Sequence, residues 1–254
     1  MTQTLFLHQL RYDLLAIRRN PRAQFFILAL PLLLLVTFAG LFGSGAVEVA
    51  GQQVAANRAS VPGIMGLAVL TSAFMSLTMT IVHQRENGIL KRRRATPVPA
   101  AVLVLSRAVT VTVSSVVACA LMVVVADAAF GIDPPPGGLA PALLAVVVAS
   151  LCFACCGYAM AAVVKSPDAA QPVLQATLLP LQMISGIYFP VSQLPDWLRH
   201  VGEAFPLAHL TSALQHAWLP TGATASWGDL GILALWAVGA AVVAARRFNW
   251  LPSR

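Results

Sequence analysis

Apolar and polar positions in this chain come in long blocks. Six apolar runs stand out, at 24–42, 61–82, 100–126, 139–164, 169–189 and 230–245. Each is close to the ~20 residues that a helix needs to cross a bilayer. The pattern predicts an all-α, polytopic membrane protein with six transmembrane helices in a single domain over 1–254. Ahead of the first run, Leu7, Leu10, Leu14 and Ile17 recur at helical spacing, while Arg11, Arg18 and Arg19 lie off that stripe. Such a segment predicts an amphipathic helix in the membrane interface. Asn20-Pro21 ends it.

Inside the runs the exceptions to apolarity are informative. In the second run Thr71, Met75 and Thr78 share one helical face, with Ser72 and Met79 beside it. A face of hydroxyls and methionines packs another helix or lines a path for an adaptable apolar ligand. In the fifth run Gln171, Gln175 and Gln182 fall within a narrow arc of a helix with ~3.6 residues per turn. An amide in hydrocarbon is costly without a partner, so this stripe is expected to face protein or a water-containing path. Pro172 and Pro180 would bend the same helix.

The segment 190–228 is too polar to cross and too apolar for a free loop. Pro195 and Pro206 suit the first turns of two short helices. Leu207, Leu210, Leu214 and Ala217 form an apolar stripe, and Trp197, Trp218 and Trp227 suit the outer interface. The expectation is a pair of external helices dipping partway into the membrane. The stretch 43–60 reads as a short polar external loop.

Composition and charge fix the class. Of 254 residues 58% are hydrophobic and 10% charged, against about 25% charged in a soluble domain. The net charge of +7 would suit nucleic acid, but the charges sit at the ends of runs, which argues against it. Arg11, Arg18, Arg19, Arg22, Arg85, Lys91, Arg92, Arg93, Arg94, Lys165, Arg246, Arg247 and Arg254 fall on one side. Arg107 can snorkel to that side, and only Arg58 and Arg199 fall on the other. The positive-inside rule places both termini in the cytoplasm. The preference for Arg, Ala and Val suits a GC-rich bacterium, hence a bacterial cytoplasmic membrane.

The densest charge lies at 83–99. Gly88 there can adopt angles that other residues avoid. Glu86, Ile89, Leu90 and Arg93 are spaced for a short helical piece, and Thr96-Pro97 and Val98-Pro99 disfavour helix before the next run. Outside their end positions the runs hold no Asp, Glu, Lys, Arg or His, which argues against ion coupling. A phosphate-binding loop is absent too: neither Lys91 nor Lys165 follows a glycine. Active transport would need energy from another chain, delivered through cytoplasmic surfaces.

Metal chemistry finds little support. Cys119, Cys152, Cys155 and Cys156 lie inside apolar runs and read as packing residues. His200, Glu203, His209 and His216 would be the residues of an external membrane-enzyme site. However, His209 and His216 are seven residues apart, ~10.5 Å along one helix, where zinc pairs are about four apart. No cofactor or metal is expected in the chain.

Three stretches carry a resemblance. They are Val61-Pro62-Gly63-Ile64; Glu86-x-Gly88-x-Leu90 through Arg94-Ala95-Thr96-Pro97-Val98-Pro99; and Ser185-Gly186-Ile187-Tyr188-Phe189-Pro190, followed by Leu194-Pro195-x-Trp197-Leu198 and Phe205-Pro206-Leu207. With Arg18-x-Asn20-Pro21, the chain resembles permease subunits of ABC-2 type exporters, among them the daunorubicin/doxorubicin-resistance permeases and related actinobacterial drug-efflux permeases. The resemblance implies an interfacial connecting helix over 1–22, a cytoplasmic coupling loop over 84–99, and external re-entrant helices over 190–228. Arg85, Glu86, Gly88, Leu90, Arg93 and Pro97 would couple to an ABC ATPase, present in two copies, which would bind ATP and Mg. Many relatives carry an apolar residue where this chain has Arg93. A second permease chain, identical or paralogous, would complete the unit in membrane lipid. Thr71, Met75, Thr78, Met79, Gln171, Gln175 and Gln182 would line the substrate path, and Phe189, Pro190 and Trp197 would form the external gate. The cargo would be an amphiphilic drug, antibiotic or lipid-like compound. Polysaccharide or glycolipid export is the alternative.

Overall fold

The computed structural model describes residues 2–43, 45–49, 52–94, 98–164, 166–188, 191–218 and 224–247. Pro97, Lys165, Phe189 and Pro190 lie outside the described residues.

Helix α1 (Thr2–Arg18) turns at Asn20 into α2 (Pro21–Phe42), where proline takes the first helical position, its missing N–H costing nothing. The stretch read as an external loop instead forms an antiparallel hairpin. β1 (Ala46–Val49) pairs with β2 (Gln52–Ala55), with Val47 opposite Val54. Residues 46–49 and 52–55 alternate apolar and polar in places, a short period-two signal outweighed in sequence by the surrounding polar residues. Helix then begins at once, five residues before the expected run.

That next helix is unbroken over Ala56–Glu86, 31 residues, but its winding changes midway. It comprises α3 (Ala56–Val69), a π-helical stretch (Leu70–Met75) and α4 (Ser76–Glu86). The Ser76 N–H reaches back to the Thr71 carbonyl, five residues away. A face drawn at 3.6 residues per turn is therefore split: Thr78 is buried, while Thr71, Met75 and Met79 are half-buried.

The remaining helices are α5 (Ile89–Arg94), α6 (Ala100–Phe130), α7 (Leu139–Val163), α8 (Pro167–Ile184), α9 (Asp196–Glu203), α10 (Pro206–Trp218) and α11 (Trp227–Arg247). The short helical piece expected near Arg93 is α5, and the two short helices expected after Pro195 and Pro206 are α9 and α10. Ser166 caps α8, its Oγ accepting from the Ala169 N–H at 3.3 Å, with Pro167 at the first position.

Packing centres on α7, which contacts α11, α6, α10, α4 and the π-helical stretch, while α3 packs against α2, α6 and α10. Leu67, Leu70, Leu77, Leu174, Leu178, Leu207, Leu210, Leu214 and Leu233 fill one continuous core. The predicted stripe of α10 is buried in full: Leu207, Leu210, Leu214 and Ala217 face inward. Trp218 corrects an expectation. It is buried in that core, while Trp197 and Trp227 are 67% and 74% exposed.

Large apolar side chains also cover the outside, such as Leu33, Val124, Leu235 and Val238. In water an apolar surface this extensive would drive association; in lipid it is the expected surface. Among the described residues, four helices are long and apolar enough to cross a membrane: Ala56–Glu86, Ala101–Phe130, Leu139–Val163 and Trp227–Arg247. The other two expected crossings fall in α2, with a shorter apolar stretch at Ile27–Leu41, and in α8, which has 18 residues and carries the three glutamines. The chain is a multi-pass, all-helical membrane protein with one small hairpin.

Candidate functional site

The segment 84–94 is a sharp elbow. Helix α4 ends at Asn87, and Gly88 takes φ +68°, a left-handed angle that costs other residues about 1–2 kcal/mol. The Gly88 N–H donates to the Arg85 carbonyl at 3.0 Å, and the Arg92 N–H returns to the Gly88 carbonyl at 3.1 Å, so α5 starts on the glycine itself. Leu90 is buried beneath the elbow; Ile89, Lys91 and Arg92 are exposed.

Arg85 turns inward and is 4% exposed. Its guanidinium donates to the carbonyls of Ala161, at 2.8 Å, and Val164, at 2.6 Å, while Nε meets Glu86 Oε1 at 2.9 Å. The last carbonyls of a helix have no partner within it. Arg85 satisfies two of them at the end of α7 and places a cation at the negative end of that helix. One side chain thus locks the elbow to the turn between α7 and α8.

A second lock joins α1 to α6. Asp13 is 2% exposed. It accepts from Ser106 Oγ at 2.9 Å and Gln9 Nε2 at 3.2 Å, and its Oδ1 lies 3.6 Å from Arg107 Nε. The Arg107 side chain is 14% exposed. Arg93, half-buried on α5, lies within the field of the same pair. Burial pushes its guanidinium below the ordinary arginine value and repulsion from Arg107 adds to this, against opposing pulls from Asp13 and Tyr158. A cavity of about 20 Å³, room for about one water, lies among Leu90, Arg93, Arg107 and Tyr158. Sequence reasoning missed Asp13, although an acid one turn before Ile17 on the apolar stripe was the signal for it.

Above this level several polar groups find partners within the bundle. Ser72 and Ser115 share a 2.6 Å hydrogen bond, and Thr78 Oγ1 donates to Phe74 and Gly157 carbonyls at 2.7 and 3.2 Å. Gln182 is buried and accepts from the Tyr188 hydroxyl at 3.0 Å, while Gln175 is half-buried and Gln171 exposed. The three glutamines therefore differ in burial along α8. Gly63 packs directly against the Ile187 carbonyl, where a Cβ would clash. Two of the sequence stretches quoted above, 61–64 and 185–188, thus meet in space.

On the opposite end, Asp229 collects Ser212, Ser226 and His209, the last at 2.7 Å, and His209 Nε2 meets the Glu203 carbonyl at 2.8 Å. His200 and His216 each face a carbonyl of their own helix. Among the described residues no group of His, Cys, Asp and Glu could hold a metal ion. Arg199 bridges Asp196 and Glu203 on the surface of α9.

The sequence profile of the ABC-2 type transporter family matches residues 4–219. No curated protein matches the chain. The match begins in α1 and ends just past α10, so it takes in both locks, the elbow, α9 and α10. With most of its length matched, this chain belongs to the ABC-2 type transporters, as a membrane permease that lacks the ATPase.

Proposed function

We propose that the chain is half of the membrane part of an ATP-driven exporter in a bacterial cytoplasmic membrane. Two copies of an ABC ATPase would bind ATP and Mg below two permease chains, identical or paralogous. The crossings would be α2, α3–α4, α6, α7, α8 and α11, with both termini cytoplasmic. The cargo would be an amphiphilic drug, antibiotic or lipid-like compound.

The observation that carries the reading is the connectivity of the elbow. An exposed rim at Ile89, Lys91 and Arg92 stands on Leu90, Gly88 and Arg85, and Arg85 holds the end of α7. A push on α5 from a partner would therefore reach α4 and α7 together. Nucleotide can shift the permease pair between inward- and outward-facing states only through different affinity for the two. The faces around Thr71, Met75, Gln175 and Gln182 carry polarity without charge, which suits an amphiphile.

The test is reconstitution with the ATPase encoded beside it. Replacing Gly88 with valine, or replacing Glu86, should reduce ATP-driven efflux while leaving ATPase binding of nucleotide intact. Efflux unchanged by disruption of the elbow would remove the coupling role from 84–99.

A further inference from the structure

Between α1, α2, α4 and α6 lies a second, larger cavity of about 250 Å³. Its lining includes Gln24, Ser76, Thr80, Gln84, Arg107 and Ser114. This is unusual for space among membrane helices, where polar groups normally pair with protein. Among the described residues, the side chains of Gln24, Ser76, Gln84 and Ser114 have no hydrogen-bond partner. Arg107 Nε is buried and likewise meets no acceptor. Asp13 stands 3.6 Å away, beyond hydrogen-bond reach, with its oxygens already held by Gln9 and Ser106. A guanidinium with unused donors therefore borders a cavity walled by amides and hydroxyls.

We propose that this cavity binds the phosphate of an anionic phospholipid headgroup, with Arg107 as its fork. The guanidinium presents parallel donors that match two phosphate oxygens. Gln84, Ser76 and Ser114 supply neutral donors for the remaining oxygens and for headgroup hydroxyls. The volume falls below the ~300–1,000 Å³ of sites for whole drug-sized ligands, so it fits the polar end of an amphiphile whose chains stay in the bilayer. Asn20 and Gln24 place it at the junction of α1 and α2, headgroup depth for an interfacial helix, and basic pockets between helices at that depth take anionic headgroups. The inference rests on reading α1 as interfacial. It places the lipid apart from the substrate-path residues on α8.

The full-length chain, exchanged into nanodiscs of phosphatidylglycerol or phosphatidylcholine and then stripped with detergent, is read by native mass spectrometry for retained lipid. Wild type should hold one phosphatidylglycerol per chain, with retention of phosphatidylcholine about tenfold lower. R107Q should lose that preference. S114F, which fills the cavity and leaves Arg107 in place, should lose it too. D13N should strengthen retention, because it removes the competing carboxylate; a purely structural pair would weaken it. Arg199→Gln, on the distant surface of α9, should change nothing. Equal retention of both lipids by wild type, or phosphatidylglycerol held unchanged in R107Q and S114F, would overturn the site. Inorganic phosphate displacing the lipid at equal concentration would assign the cavity to a free anion instead, against the proposal. The readout needs neither ATP nor transport, so its failure leaves the exporter reading standing.

Discussion

The guanidinium of Arg85 donates to the carbonyl of Ala161, 76 residues further along the chain, at 2.8 Å. The contact ties the last turn of α4 to the end of α7. Removing it leaves two buried carbonyls without a donor. R85A should destabilise the purified chain by about 2–4 kcal/mol, seen as a lower unfolding midpoint in detergent. R85K should recover less than half of the loss, because an ammonium lacks the fork that reaches Ala161 and Val164 together. Equal midpoints for wild type and R85A would show that the cap contributes nothing.

Asp13 and Arg107 predict a different signature. D13A strands a buried cation and should cost about 3–5 kcal/mol, with faster hydrogen exchange across α1. The double variant D13L/R107M replaces both charges with apolar groups and should recover most of that stability. If the double variant is as unstable as the sum of the singles, the two residues are not a pair.

Gly88 separates backbone geometry from side-chain chemistry. G88V should cost about 1–2 kcal/mol at the elbow and reduce transport per ATP hydrolysed in the reconstituted complex. G88N should retain most coupling, since asparagine tolerates the left-handed region. Comparable transport ratios for G88V and wild type would mean that the elbow angle is not used.

Gly63 tests the junction of α3 with the segment 185–188. A methyl there meets the Ile187 carbonyl, so G63A should cost about 1–3 kcal/mol as overpacking. Hydrogen exchange should rise at 185–188 and stay unchanged in α11. Protection unaltered at 185–188 would show that the two segments are not held by that contact.

Much of this architecture could be read from periodicity. The helix α1, the helices α9 and α10 after their prolines, and the buried face of α10 follow from one-dimensional pattern, because each is a local rule acting on neighbours. The roles of Arg85, Asp13 and Arg107 were not legible in the same way. Arg85 was one arginine among several in a basic loop, and its partners are backbone carbonyls, which have no sequence signature. Asp13 and Arg107 lie 94 residues apart, and nothing local states that they meet. The hairpin at 46–55 was hidden by its polarity. Thr71 and Thr78 shared a face only on the assumption of uniform winding, which the stretch Leu70–Met75 breaks.

That change of winding has a mechanical consequence. A rod of constant pitch passes a twist applied at one end straight to the other. The helix from Ala56 to Glu86 has a slacker coil at its middle, so torque entering at Glu86 can be absorbed or released there before it reaches Gly63. The half that ends at Glu86 would swivel while the half that carries Gly63 stays seated on Ile187, a clutch inside one continuous helix.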